Sequence, residues 1–148
     1  MTNSWKAVAL PLLQVVFLAL PGCSSVSPDA EPVTKEEAPE AIARTEFTDR
    51  LENFFEYEEL RAGKPSQVRI HLTDLADGSP VEQAVVSTTI RRAGGKDTVA
   101  QTTAKVGKVT GIYVAEWNIP QVGEYDVEFH IKSAKLDEQM FLTGFKVE

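Results

Sequence analysis

GEYDVEFHIK, residues 123–132, decides the fold. Tyr125, Val127, Phe129 and Ile131 alternate with Asp126, Glu128, His130 and Lys132. A strict period of two puts the four apolar side chains on one face, the signature of a half-buried strand in an antiparallel sheet. The same grammar recurs at Val68, Ile70 and Leu72, at Ala84, Val86, Thr88 and Ile90, and at Tyr113, Ala115, Trp117 and Ile119. It is read again at Phe141, Thr143, Phe145 and Val147. Between these stretches stand Gly63-Lys64-Pro65, Asp77-Gly78-Ser79-Pro80, Gly94-Gly95 and Pro120 to Gly123, residues that favour turns. Short strands at regular spacing predict a sandwich or barrel. Residues 46–148 suffice for one such domain and are too few for two.

Near the start of that region, Phe47, Leu51, Phe54 and Phe55 fit a helical period as well as an extended one. Aromatic content, together with the family resemblance given below, assigns about Leu51 to Tyr57 as the first strand. Gly123-Glu124-Tyr125 resembles the tyrosine corner of immunoglobulin-like sandwiches, in which the hydroxyl ties back to upstream backbone. The expected fold is therefore all-β: an immunoglobulin-like antiparallel β-sandwich of about seven strands. With Ser133 to Asp137 as the tip of the last hairpin, strands at 124–132 and 138–148 pair so that residue numbers sum to about 270. That register sets His130 opposite Met140, both pointing outward beside an exposed Leu142.

The N-terminus carries a different signal. Lys6 precedes an apolar run from Ala7 to Leu20, below the roughly 18 residues that cross a bilayer, and the pattern is that of a secretory signal at 1–22. Leu20-Pro21-Gly22-Cys23 resembles a bacterial lipobox, although Pro21 departs from the small residue usual there. Cys23 is the sole cysteine, so no internal disulfide forms, and the resemblance implies that it carries diacylglycerol. Ser24, where Asp would favour inner-membrane retention, points to the outer membrane and a periplasm-facing domain. Residues 23–45 combine Pro28, Pro32 and Pro39 with five Asp or Glu, a composition that reads as a disordered tether. The chain has a formal charge of −7, and loss of residues 1–22 removes Lys6 and no acid, leaving −8. Such a surface disfavours nucleic acid and anionic lipid headgroups.

HLTDLADGSP, residues 71–80, reads as a corner: Leu72 and Leu75 anchor it, Thr73 and Asp74 bond nearby amides, and Gly78 with Pro80 sets the turn. Together with Phe55-Glu56-Tyr57, Leu60 to Ser66, Pro80-Val81 and Val122 to Tyr125, it resembles the immunoglobulin-like N-terminal domain of some periplasmic adaptor subunits of heavy-metal RND efflux pumps. The likeness covers about residues 51–148. A complete adaptor continues into a helical hairpin, a lipoyl-like domain and a barrel, none of which follows here. The resemblance implies a stand-alone accessory whose partners are an efflux pump or adaptor.

No catalytic constellation is read from the residues: no Ser placed with His and acid, no HExxH, no phosphate loop. The expectation is a non-enzyme without a cofactor. His71 and His130, the two imidazoles, are expected on the outer faces of different sheets. If His130 and Met140 are cross-strand neighbours, imidazole and thioether suit Cu(I) or Ag(I). The leading expectation is a membrane-tethered interaction module docking through Met140 and Leu142. A periplasmic copper- or silver-binding protein and a structural envelope lipoprotein are the alternatives.

Overall fold

In a computed structural model of the protein, residues 40–148 are described. The signal segment, Cys23 and most of the tether lie outside them. The strands are β1 (Ile42–Phe47), β2 (Leu51–Tyr57), β3 (Pro65–Asp74), β4 (Ser79–Pro80), β5 (Val85–Arg92), β6 (Thr98–Thr103), β7 (Lys105–Val106), β8 (Ile112–Asn118), β9 (Gly123–Lys132) and β10 (Asp137–Val147). They form two antiparallel sheets, one ordered β1-β2-β3-β8-β7 with β4 beside β3, the other β10-β9-β5-β6. This is the expected sandwich.

The apolar faces meet in an aromatic cluster of Phe55, Tyr57, Trp117, Phe129 and Phe145, with neighbouring ring centroids 5.0–6.3 Å apart. Tilted and edge-on contacts of this kind add to area burial because ring edges and faces carry opposite partial charge. Trp117 adds a buried polar tie between the layers. Its indole Nε1–H donates to the Thr88 hydroxyl at 3.0 Å, joining β8 of one sheet to β5 of the other. The tyrosine corner is present as expected: Tyr125 is fully buried and its hydroxyl donates to the Gln121 carbonyl at 2.8 Å. Tyr113 performs a similar service, donating to the Val81 carbonyl and accepting from the Ala84 amide.

The corner at 71–80 is built largely as its residues require. Leu72 is buried, Asp74 Oδ1 accepts from Ala76 N–H at 2.9 Å, and Asp77 Oδ1 accepts from Ser79 N–H at 2.9 Å. Leu75, expected in the core, is 43% exposed, because the turn begins one residue after Leu72 and Asp74 have taken the inward positions. Gly78 has φ +72° with open space around it. Gly111, at φ +78°, carries the tighter constraint: a Cβ there would lie 2.5 Å from Pro80 Cβ, and its carbonyl accepts from Leu72 N–H.

Three expectations need correction. First, the segment read as tether ends in a strand, since β1 pairs with β2 from Ile42↔Tyr57 to Phe47↔Glu52. Sparse apolar content hid it. Arg44 holds it in place, its guanidinium 4.7 Å from the Phe145 ring centroid and its Nη1 donating to the Thr143 carbonyl at 3.0 Å. Second, β6, the sequence TVAQTT, is an edge strand without apolar alternation, so periodicity gave no sign of it. Third, the last hairpin pairs one residue out of the expected register: His130 faces Gln139, and Met140 faces Phe129. Met140 and Leu142 are buried at 4% and 8% exposure, while Phe141 is 59% exposed. The cause is a bulge between Leu142 and Phe145, where two residues oppose one and Gly144 takes φ +82°. A one-residue offset reverses every side chain's face.

One polar group sits badly in this core. Asn53 is fully buried, its Nδ2 lies 3.8 Å from Met140 Sδ, and its Oδ1 has no hydrogen-bond partner among the described residues. An orphaned buried acceptor costs about 1–3 kcal/mol. Asn53→Leu is therefore expected to raise unfolding stability by about 1 kcal/mol or more, measured by urea titration. Of the glycines, Gly78→Ala is expected to cost about 1 kcal/mol for its left-handed backbone alone, and Gly111→Ala clearly more, because its Cβ also meets Pro80. Equal losses at the two positions would contradict this packing.

Candidate functional site

The outer face of the β10-β9-β5-β6 sheet collects the groups best placed for recognition. Cross-strand pairing lays Gln139, His130, Ser87 and Thr103 in one row and Phe141, Glu128, Thr89 and Gln101 in the next. His130 Nε2 lies 2.7 Å from Asp137 Oδ1, and Lys132 Nζ lies 3.3 Å from Asp137 Oδ2. The hydrogen bond from His130, followed by that from Lys132, holds the Asp137 carboxyl below its ordinary range. Arg91 Nη1 bonds Glu128 Oε2 at 2.6 Å across the same face. Phe141 and, at the far end of β5, Val85, each 59% exposed, thus stand out of a surface otherwise made largely of hydroxyls, amides and paired charges.

The structure does not bring His130 and Met140 together: the imidazole is on this outer face and the thioether points between the sheets toward Asn53. Nor do Met140 and Leu142 form an outward patch. Phe141 occupies the place given to them, and Gly144 inside an otherwise regular strand was the signal that could have revealed the bulge. Asp137 was also missed as the partner of His130. The two histidines lie in different sheets: His71 in β3 packs edge-on against Phe54 at 5.2 Å, with Nε2 3.6 Å from Glu56 Oε2, beyond hydrogen-bond length.

Pairing also places Ser87, His130 and Asp137 side by side. They do not form a nucleophile relay, because Ser87 Oγ lies 3.5 Å from the His130 backbone carbonyl rather than bonding the ring. Among the described residues no group of three or more His, Cys, Asp or Glu is placed to hold a metal ion. At the end of the sandwich a cleft of about 470 Å³ opens between the 71–80 corner and the Ser133–Leu136 hairpin tip. Asp74, Ser79, Glu82, Gln83 and Lys135 supply its polar lining. Gln83 takes φ +52° at its rim.

Fold and surface define a β-sandwich domain with an aromatic side chain set on a polar sheet face. The chain belongs to the YtkA-like family, which matches residues 46–130, from the end of β1 to His130 in β9. No curated protein and no solved structure matches it.

The carboxyls of Asp77 and Asp137 are depressed below their ordinary 3.8, through hydrogen bonds from Ser79 and from His130 respectively, and Glu148 is depressed by Lys146. A depressed folded-state value stabilises the fold above the unfolded-state pKa, and that contribution is lost as pH falls through the folded-state value. The urea midpoint is therefore expected to hold steady down to about pH 4 and to fall below it, and Asp137→Asn should shrink that fall. A midpoint that rises with acidification below pH 4 would contradict these contacts.

Proposed function

We propose that this chain is a non-catalytic, lipid-anchored module of the bacterial envelope. It faces the periplasm from the outer membrane and grips a protein partner with the outer face of the β10-β9-β5-β6 sheet. The observation that carries the reading is Phe141, an aromatic ring 59% exposed in the middle of an eleven-residue strand. Aromatic anchors ringed by polar groups are the usual energetic centres of protein interfaces. Glu128 and Thr89 in Phe141's own row, with Gln139 in the next, offer the polar rim such an anchor needs.

The lipobox-like Leu20 to Cys23 and the acidic, proline-rich stretch after it support a tethered module held off the membrane. The likeness to the adaptor domain of heavy-metal RND pumps supports efflux machinery as the partner, with this chain as an accessory. The copper- or silver-binding alternative loses its argument with the separation of His130 and Met140.

A photoreactive residue placed at position 141 of the full chain in living cells is expected to cross-link to an RND pump or adaptor subunit, while the same residue at Glu116, exposed on β8 of the other sheet, does not. Phe141→Ala should weaken capture of that subunit at least tenfold and leave folding intact. Identical products from positions 116 and 141, or none from 141, would contradict the proposal.

A further inference from the structure

The edge of the larger sheet carries an arrangement that the partner face above does not explain. β1 ends that sheet, and its inner neighbour β2 fixes which of its backbone groups are used. The Thr48 amide donates to the Leu51 carbonyl, which makes 48/51 a hydrogen-bonded pair in the register 47↔52, 46↔53, 45↔54. Hydrogen-bonded and non-bonded pairs alternate along an antiparallel ladder. Residues 42, 44 and 46 therefore spend their N–H and C=O groups on β2, and Ala43, Thr45 and Phe47 turn theirs to the open side. The other flank of β2 requires the same parity. Leu75 N–H to the Arg50 carbonyl sets 52, 54 and 56 toward β3, leaving 51, 53, 55 and 57 for β1.

Open strand edges are normally blunted by a bulge, a proline, a lysine or brevity. β10 has its bulge and β7 has only two residues. β1 has six residues in unbroken register and none of those blocks. Its charges, Arg44 and Glu46, are opposite in sign and two apart, and they now bond one another at 2.6 Å. Phe47 beside them is 62% exposed.

We infer that β1 pairs with β1 of a second copy, antiparallel about Thr45, to make one continuous sheet across a two-fold axis. The sequence IARTEF is self-complementary in this register. Ala43 meets Phe47 of the second copy, Thr45 meets Thr45, and these are the three residues of β1 whose backbone groups have no partner among the described residues, giving about six hydrogen bonds. Arg44 and Glu46 fall opposite each other twice, at the non-bonded positions where side chains approach most closely. The exposed Phe47 ring gains the alanine of the neighbouring molecule, with the Glu56 stem beyond it. A register shifted by one residue would put bonded groups against free ones and lose every hydrogen bond.

Sedimentation of the full chain in detergent tests this. The wild type is expected to be a dimer. Thr45→Pro removes an N–H that the monomer does not use, which an edge strand tolerates, and is expected to give a folded monomer with an unchanged near-ultraviolet spectrum. Glu46→Arg, which opposes two arginines twice, is expected to weaken the dimer at least tenfold. Thr45→Cys should form a disulfide-linked dimer under diamide, and Gln101→Cys on the opposite edge should not. A monomeric wild type, a Thr45→Pro chain as dimeric as the wild type, or equal cross-linking from positions 45 and 101 would overturn the inference.

Discussion

The bulge at Thr143-Gly144 is the constraint on which the rest of this structure turns. β10 must bury Phe145 and Val147 at one end of the sandwich and Met140 and Leu142 at the other, and a strand of strict period two cannot bury residues of both parities. One extra residue resolves the conflict. Gly144 takes the left-handed conformation that a side chain would resist, and the register slips by one between Leu142 and Phe145. Phe141 is thereby put outside. The same irregularity leaves the Thr143 carbonyl to receive Arg44, whose guanidinium covers Phe145 and seats β1 at the edge of the facing sheet.

Where sequence pattern and burial share one period, reading the fold from residues succeeds. Val68 to Leu72, Val86 to Ile90, Tyr113 to Ile119 and Tyr125 to Ile131 all take the faces their alternation assigns, and Leu51 to Tyr57 is a strand end to end. The tyrosine corner is legible for a similar reason, since glycine, turn and tyrosine stand within three residues of one another. Failure comes where stability is non-local. β1 pairs with its neighbour β2 and is fastened by Arg44 to the Thr143 carbonyl and the Phe145 ring of β10, partners far along the chain that IARTEF itself does not show. β6 lies at an edge where half-exposed threonines replace apolar alternation.

The candidate site suffered most from this, because its identity depends on a parity. Counting back from Phe145 places Phe141 inside and His130 against Met140; counting across the bulge places Phe141 outside and His130 against Gln139. The chemistry changes with the count. A thioether beside an imidazole is a soft-metal pair, whereas an imidazole bonded to Asp137 beside an exposed phenyl ring has the chemistry on which the proposed protein contact rests. The family match spans residues 46–130, and β10, which carries that ring, and most of β1 lie outside the matched residues. Both strands lie on the same flank of the sandwich, joined through Arg44.

Nuclear Overhauser contacts between backbone protons measure this parity directly. The Ser133 amide bonds the Leu136 carbonyl, so alternation makes 130/139 and 128/141 non-bonded pairs, in which opposing Hα protons are closest. Strong Hα–Hα contacts from His130 to Gln139 and from Glu128 to Phe141 are the result this account predicts. Contacts from His130 to Met140, with the Phe141 ring showing cross-peaks to Val127 or Phe129 in the core, would contradict it.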